Sequence, residues 1–157
     1  MRLALLNIVL ALGWCAVIGE FTLANLAIGF VLAYLALWLV RPLYGPTRYF
    51  RRFWLLLRLS AFFLFELVRS SLRVAWDVVT PPVYSRPGVV AVPLDAESDI
   101  EITVLANLVS LTPGTLSLEV SDDRRVLYVH AMFAEDRDAV CRSIKEGIER
   151  RLLEVTR

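Results

Sequence analysis

Residues 3–40 read LALLNIVLALGWCAVIGEFTLANLAIGFVLAYLALWLV, and this stretch decides the architecture. Its only charged side chain is Glu20, which sits beside Gly19 at the middle of the run. The first apolar segment, from about Leu3 to Ile18, has Asn7 as its one strongly polar group. The second runs from about Phe21 to Val40, close to the ~20 residues that a membrane-spanning helix needs. Two such segments joined by Gly19-Glu20 predict a transmembrane helical hairpin. Arg2 followed by an apolar run also resembles a signal peptide, but no A-x-A site closes it and a second apolar segment follows at once. An uncleaved anchor folded into a hairpin fits better.

Outward from the hairpin, Arg41-Pro42 ends the second segment. The connector then carries Gly45, Pro46, Arg48, Arg51 and Arg52. Four arginines on that side against Glu20 on the other place both ends of the hairpin in the cytoplasm by the positive-inside rule. Gly29 and Ala33, four residues apart, suit close approach of another helix, although small residues are common in any membrane helix. Asn7 and Asn25 read either as interhelical hydrogen-bonding groups, the ordinary use, or as cation ligands.

A third helix is predicted from Arg51 to Val79. At ~100° per residue, Arg58, Glu66, Arg69, Arg73 and Asp77 share an arc of about 100°. Leu57, Ala61, Leu64, Leu67, Val68 and Ala75 lie opposite. The stripe alternates in sign at i,i+3 and i,i+4 spacing, so its members can pair. Two placements are open for this amphipathic or embedded helix. It lies at the cytoplasmic interface with its charges among headgroups, or it enters the membrane with its stripe against partner subunits. A tilted, partly embedded helix keeps the rest of the chain cytoplasmic. Thr80-Pro81-Pro82 stops it, and Val83 to Pro87 form a linker.

The remainder has ordinary soluble composition and predicts a small α+β domain in the order βαββα. Val89 to Leu94 is a β-branched strand. Ser98 or Asp99 caps a helix bearing Ile100, Val104, Leu105 and Leu108. Thr112-Pro113-Gly114 is turn chemistry, with glycine supplying φ > 0. Leu116, Leu118 and Val120 alternate, Asp122-Asp123 turns, and Val126, Tyr128 and His130 return. Asp136 caps a last helix with Val140, Ile144, Ile148 and Leu152 at helical spacing. The organisation is therefore residues 1–50, hairpin and connector; 51–82, amphipathic helix; 83–157, soluble domain.

Composition agrees. The chain is 57% apolar with formal net charge +1, and its mean hydropathy is +0.60. No basic run of the density that nucleic acid requires is present. Cys15 and Cys141 lie in different segments and form neither a disulfide framework nor a metal spacing. No catalytic, cofactor or metal constellation emerges. His130 with Asp122 and Asp123 suggests acid–base or metal chemistry, but the aspartates occupy a turn, and a lone histidine lacks convergent ligands.

A family resemblance rests on Glu66-Leu67-Val68-Arg69-Ser70-Ser71, Val74-Ala75-Trp76-Asp77-Val78-Val79-Thr80-Pro81 and Arg86-Pro87-Gly88-Val89-Val90-Ala91-Val92-Pro93-Leu94. It continues through Leu105 to Thr115, Leu127-Tyr128-Val129-His130, and Ser143 to Leu153. The chain resembles the E subunits of the Mrp-type (Mnh, Pha) multisubunit cation/proton antiporters over essentially its whole length. Leu111 to Thr115 with Asn107 is the most specific part. Ser110 stands where the family more often has threonine. The resemblance implies an accessory, assembly-type subunit, not an enzyme, in a bacterial cell (inner) membrane complex that exchanges cytoplasmic Na+ or a related cation for external protons. It also implies a cytoplasmic C-terminal domain, other subunits and lipid as partners, and no cofactor.

Two groups of residues are singled out. Glu66 beside Phe62, Phe63 and Phe65 is costly in an apolar setting and reads as the edge of an ion path. It also reads, and more readily, as an ion pair with Arg69 or Arg58 that docks the helix on a neighbour. Arg58, Arg69, Arg73 and Asp77 share that choice, with phospholipid headgroups as a further partner. Asn107, Thr112, Pro113, Gly114 and Thr115 read as a helix-stopping turn, with Asn107 bonding the loop backbone, or as a subunit-docking loop. The spacing does not match a phosphate loop. The alternative to the antiporter reading is a stand-alone membrane-anchored interaction domain.

Overall fold

The structure, a computed structural model, describes residues 2–44, 48–81 and 85–157. Gly45 and Pro46 of the connector, and Pro82 and Val83 beyond the third helix, lie outside the described residues. Two compact units divide the chain, Met1–Trp54 and Leu55–Arg157.

In the first unit, α1 (Arg2–Ile18) and α2 (Leu23–Leu39) form a helical hairpin at the expected place in the chain, followed by the short α3 (Arg41–Tyr44) and the start of α4 (Tyr49–Val79). Gly19 turns the chain at φ 81°, a conformation that costs glycine nothing. The second helix begins two residues later than Phe21. Thr22 is its N-cap and its hydroxyl accepts from Asn25 N, satisfying a donor the helix cannot. Both helices are 17 residues long. Among the described residues no helix is long and apolar enough to cross a membrane.

The hairpin closes on small residues. A Cβ on Gly29 would lie 2.9 Å from Ala11 O and 3.0 Å from Trp14 Cβ. The helix that approaches the Gly29–Ala33 edge is thus α1. Its own contact stripe is Asn7, Ala11 and Cys15, all fully or nearly fully buried. Most other large side chains of α1 and α2 face outward, among them Leu5, Val9, Val17, Leu23, Leu35 and Leu39. Asn7 Nδ2 donates to Tyr49 Oη at 2.6 Å. Tyr34 packs on Tyr49, Phe50 and Phe53 with ring centroids 4.7–6.0 Å apart.

In the second unit the rest of α4 is followed by β1 (Gly88–Pro93), α5 (Asp99–Leu111), β2 (Thr115–Val120), β3 (Val126–Ala131) and α6 (Arg137–Arg142). A π-helical stretch (Ser143–Glu149) then leads without a break into α7 (Arg150–Thr156). The three strands form an antiparallel sheet in the order β1-β3-β2. This is the predicted βαββα order, with a π-helical segment inside the last helix that periodicity did not suggest. Asp136 caps that helix through Ala139 N, as expected. Ser98 caps α5 in a reciprocal box with Glu101.

Val90 and Val92 of β1, Leu127 and Val129 of β3, Leu105 and Val109 of α5, and Ile144, Ile148 and Leu152 of the last helix make the core. Leu59 of α4 joins them. The expected faces hold only in part. On α5, Leu105 is buried and Leu108 packs against the core as expected, joined by Ile102 and Val109, while Ile100 and Val104 are exposed. On β3 Leu127, Val129 and Ala131 turn inward, so the alternating Val126, Tyr128 and His130 take the other face, and Leu116 and Leu118 of β2 are exposed. Both sides of these strands are apolar enough to fit either register.

Candidate functional site

The face of α4 that turns toward the sheet domain is written at helical spacing: Leu59, Phe62, Glu66, Ser70, Val74 and Asp77 are buried or half-buried. Phe62 lies under the last helix, where a Cβ on Gly147 would sit 3.4 Å from its Cζ, and the Arg151 guanidinium stacks on its ring at 3.8 Å. Such a contact combines cation–π attraction with packing of the arginine stem. The opposite face carries exposed Trp54, Leu57, Leu64, Phe65, Val68, Leu72 and Trp76. The helix is amphipathic as its sequence predicts, but much of its charged stripe borders the chain's own domain.

Between α4 and the turn after α5 lies a cavity of about 370 Å³. Glu66, Arg69, Ser70 and Arg73 form one wall and Thr112, Pro113, Gly114 and Thr115 another. Two sequence regions some forty residues apart, each singled out on its own, are thereby brought into one site. Val140, Ile144 and Ile148 supply its apolar side. Glu66 pairs with Arg69 at 3.6 Å, which is the ion pair expected from their i,i+3 spacing. Arg73 lies 5.8 Å from the centroid of the Phe133 ring.

The turn is held by its own hydroxyls. Thr112 Oγ1 donates to Leu108 O at 3.0 Å and Thr115 Oγ1 to Val109 O at 2.7 Å. These are carbonyls of the last turn of α5, where the helix runs out of amides to pair them; Val109 O also accepts from Thr112 N at 3.1 Å. Gly114 stands at φ 87°, and a Cβ there would touch Val74 Cγ2 at 3.4 Å. The expectation that Asn107 bonds the loop is corrected: its amide donates to Thr103 O at 2.9 Å, one turn back in its own helix.

Not every candidate joins the cavity. Arg58 is exposed further up α4 and does not line it. Asp77 is 4% exposed and lies beyond it. Asn107 is exposed on α5. Asn25 donates to Glu20 O at the hairpin bend. His130 sits half-buried on the sheet, opposite Val89 and Leu116. Among the described residues no group of three His, Cys, Asp or Glu side chains could hold a metal ion.

Two buried carboxylates were not singled out from the sequence. Glu149, 0% exposed, accepts from Asp95 N at 2.7 Å and Ala96 N at 3.1 Å. Lys145 Nζ lies 3.5 Å from its other oxygen, 2.9 Å from Asp95 Oδ2 and 2.7 Å from Pro93 O. Burial disfavours the Lys145 charge, but the Asp95 and Glu149 carboxylates outweigh it and raise the pKa above the usual lysine value. Glu101 accepts from Thr156 Oγ1 at 2.6 Å and from the amides of Glu97 and Ser98. The Thr156 bond leads in lowering its pKa to about 2, against the opposing effect of burial. The available signal was position: Glu149 follows Ile148 at the edge of the apolar stripe and stands i+4 from Lys145.

Residues 7–155 match the family described as Na+/H+ ion antiporter subunit. The E subunit of the Na+/H+ antiporter of Alkalihalophilus pseudofirmus is 37% identical over 98% of this chain and 97% of its own length. That of Bacillus subtilis is 35% identical over the same shares, and the E1 subunit of Staphylococcus haemolyticus is 32% identical over 96% and 95%. A chain in the structure of the Mrp complex from Dietzia sp. DQ12-45-1b superposes with TM-score 0.51 at 30% identity, covering 66% of this chain and 94% of that one. A chain of an archaeal membrane-bound sulfane sulfur reductase shares the fold, with TM-score 0.52 at 23% identity over 86% and 85%. On this match, nearly end to end, the chain belongs to the Na+/H+ ion antiporter subunit family, among its E subunits.

Proposed function

We propose that the chain is an accessory, assembly-type subunit of a multisubunit antiporter that exchanges cytoplasmic Na+ or a related monovalent cation for external protons across the bacterial inner membrane. The end-to-end likeness to antiporter E subunits carries this reading. Its work is packing, not turnover. Residues 1–50 serve as a membrane hairpin and connector, 51–82 as an amphipathic membrane-associated helix, and 83–157 as a domain on the cytoplasmic side.

The distribution of apolar surface supports it. A 17-residue helix is about 25 Å long, a few ångströms short of the ~30 Å hydrocarbon core, a mismatch that local thinning or flanking residues absorb. The outward leucines and valines of α1 and α2 then face lipid or partner helices, and the apolar face of α4 lies against the membrane or a neighbouring subunit. The cavity edged by Glu66, Arg69, Arg73 and the Thr112–Thr115 turn is the place where a neighbour docks or where an ion path passes.

The test is recovery. A tag after Arg157, gentle solubilisation and identification of what accompanies the chain should bring down several large polytopic subunits. Recovery of the chain alone, from membranes in which the rest of the complex survives, would overturn the proposal in favour of a stand-alone membrane-anchored domain.

A further inference from the structure

The cavity beside α4 has a chemistry that docking alone leaves unused. Its floor is apolar, from Val140, Ile144 and Ile148, and its rim carries two guanidinium groups one turn apart, Arg69 and Arg73. Two carboxylates also reach the rim. Glu66 pairs with Arg69 at 3.6 Å. Asp136 caps α6 through Ala139 N at 2.8 Å and lies 3.9 Å from Arg142. With Asp136 set against Arg142, one positive charge remains in excess at the mouth. Arg69 is exposed to 57% there. The volume, about 370 Å³, falls in the range of about 300–1,000 Å³ typical of sites for small ligands.

The other side of the same helix indicates what reaches this mouth. Trp54, Leu57, Leu64, Leu72 and Trp76 are exposed on α4. Tryptophan and leucine along one face of a helix whose other face is charged is the composition of a helix lying in the membrane interface. A cationic rim on such a helix, over an apolar floor, matches an amphiphile with a negative head.

We propose that this cavity binds one anionic phospholipid, its phosphate at Arg69 and Arg73 and the upper part of an acyl chain against Val140, Ile144 and Ile148. The proposal rests on the membrane-bound subunit reading above, and it gives the cavity a lipid cofactor between α4 and the sheet domain.

The experiment uses the tagged complex, washed of loosely held lipid and exchanged into nanodiscs of phosphatidylcholine doped with phosphatidylglycerol. Lipid retained per copy of the chain is counted by native mass spectrometry. Wild type should keep one phosphatidylglycerol. R69Q/R73Q should lower its occupancy about tenfold, with phosphatidylcholine unchanged. Ala139→Phe, which sets a ring on the cavity lining and keeps both arginines, should do the same, while R69K/R73K retains most of the binding and reports that the fold is intact.

Equal retention in wild type and R69Q/R73Q would overturn the proposal. So would loss in R69Q/R73Q with none in Ala139→Phe, which would place the headgroup on the surface and outside the cavity. Displacement of the retained lipid by excess inorganic phosphate would identify a free anion as the ligand and overturn it as well. Complex recovery is scored on the same preparations, so failure of the subunit reading shows as missing partners and not as missing lipid.

Discussion

Gly114 faces Val74 across the joint between the sheet domain and α4: a Cβ on the glycine would stand 3.4 Å from Val74 Cγ2, at a backbone φ of 87°. The turn between α5 and β2 needs that conformation, while α4 would meet a Cβ there only at ordinary contact distance. Gly114→Ala should cost about 1–2 kcal/mol from the left-handed backbone alone, with little added by the ordinary contact to Val74. In mild detergent this would appear as a thermal midpoint lowered by several degrees, and Val74→Ala in the same background should not restore it. Unchanged melting of Gly114→Ala would show that the turn relaxes freely.

Glu149 and Lys145 form a lock between the last helix and the Asp95–Ala96 segment. Glu149→Leu strands the Asp95 and Ala96 amides while Lys145 keeps Asp95 and Pro93 O, and should cost about 3 kcal/mol, the penalty for buried donors left without a partner. The raised Lys145 pKa also sets a pH dependence. Its stabilisation is full below the ordinary lysine pKa and is lost as pH rises through the higher folded value. Lys145→Met should flatten the alkaline limb of a stability profile, and an unchanged limb would remove Lys145 from the account.

The acid limb belongs in part to Glu101. Its folded pKa, lowered to about 2 from 4.5, contributes stability present above the unfolded value. That stability is lost as pH falls from about 4.5 toward about 2. Glu101→Gln should be less stable than wild type at neutral pH and converge with it near pH 2. Parallel curves for the two proteins over that window would contradict the assignment.

Gly29 can be challenged in the hairpin. Gly29→Val brings branched methyls into a space where even a Cβ lies 2.9 Å from Ala11 O, closer than such contacts tolerate. Cysteine crosslinking between α1 and α2 should fall, and recovery of partner subunits with the chain should fall with it. Efficient crosslinking in the variant would mean that the helices slide to accommodate it.

Glu66→Gln separates the two uses of the cavity wall. If the carboxylate lies on an ion path, the complex should assemble but lose cation-driven proton flux in vesicles. If it docks α4, assembly itself should fail. Normal assembly and flux would exclude both.

Much of this was legible in the sequence because it is local. The Gly19 bend, the amphipathy of α4, the Thr112–Gly114 turn and the Asp136 cap each depend on a few adjacent residues. What the sequence concealed is what distance or phase decides. The strands carry apolar residues on both faces, so alternation could not choose between Tyr128 and Val129 as the inward side. The cavity joins Glu66 to Thr112 through tertiary packing alone, and nothing in either segment announces the other. Thr115, not Asn107, satisfies the end of α5, because Asn107 points back along its own helix to Thr103.

The π-helical stretch Ser143–Glu149 acts as a phase setting for everything after it. Its wider turn holds about one residue more than an α-turn, and one residue is worth roughly 100° of rotation. Thr156 Oγ1 meets Glu101 at 2.6 Å and Arg157 Nη2 meets Asp95 O at 3.0 Å only at the present rotation. Removing a single residue from the stretch would leave a continuous helix of good sequence whose tail faces the wrong way. The C-terminal latch would come off both of its partners although neither partner had been touched.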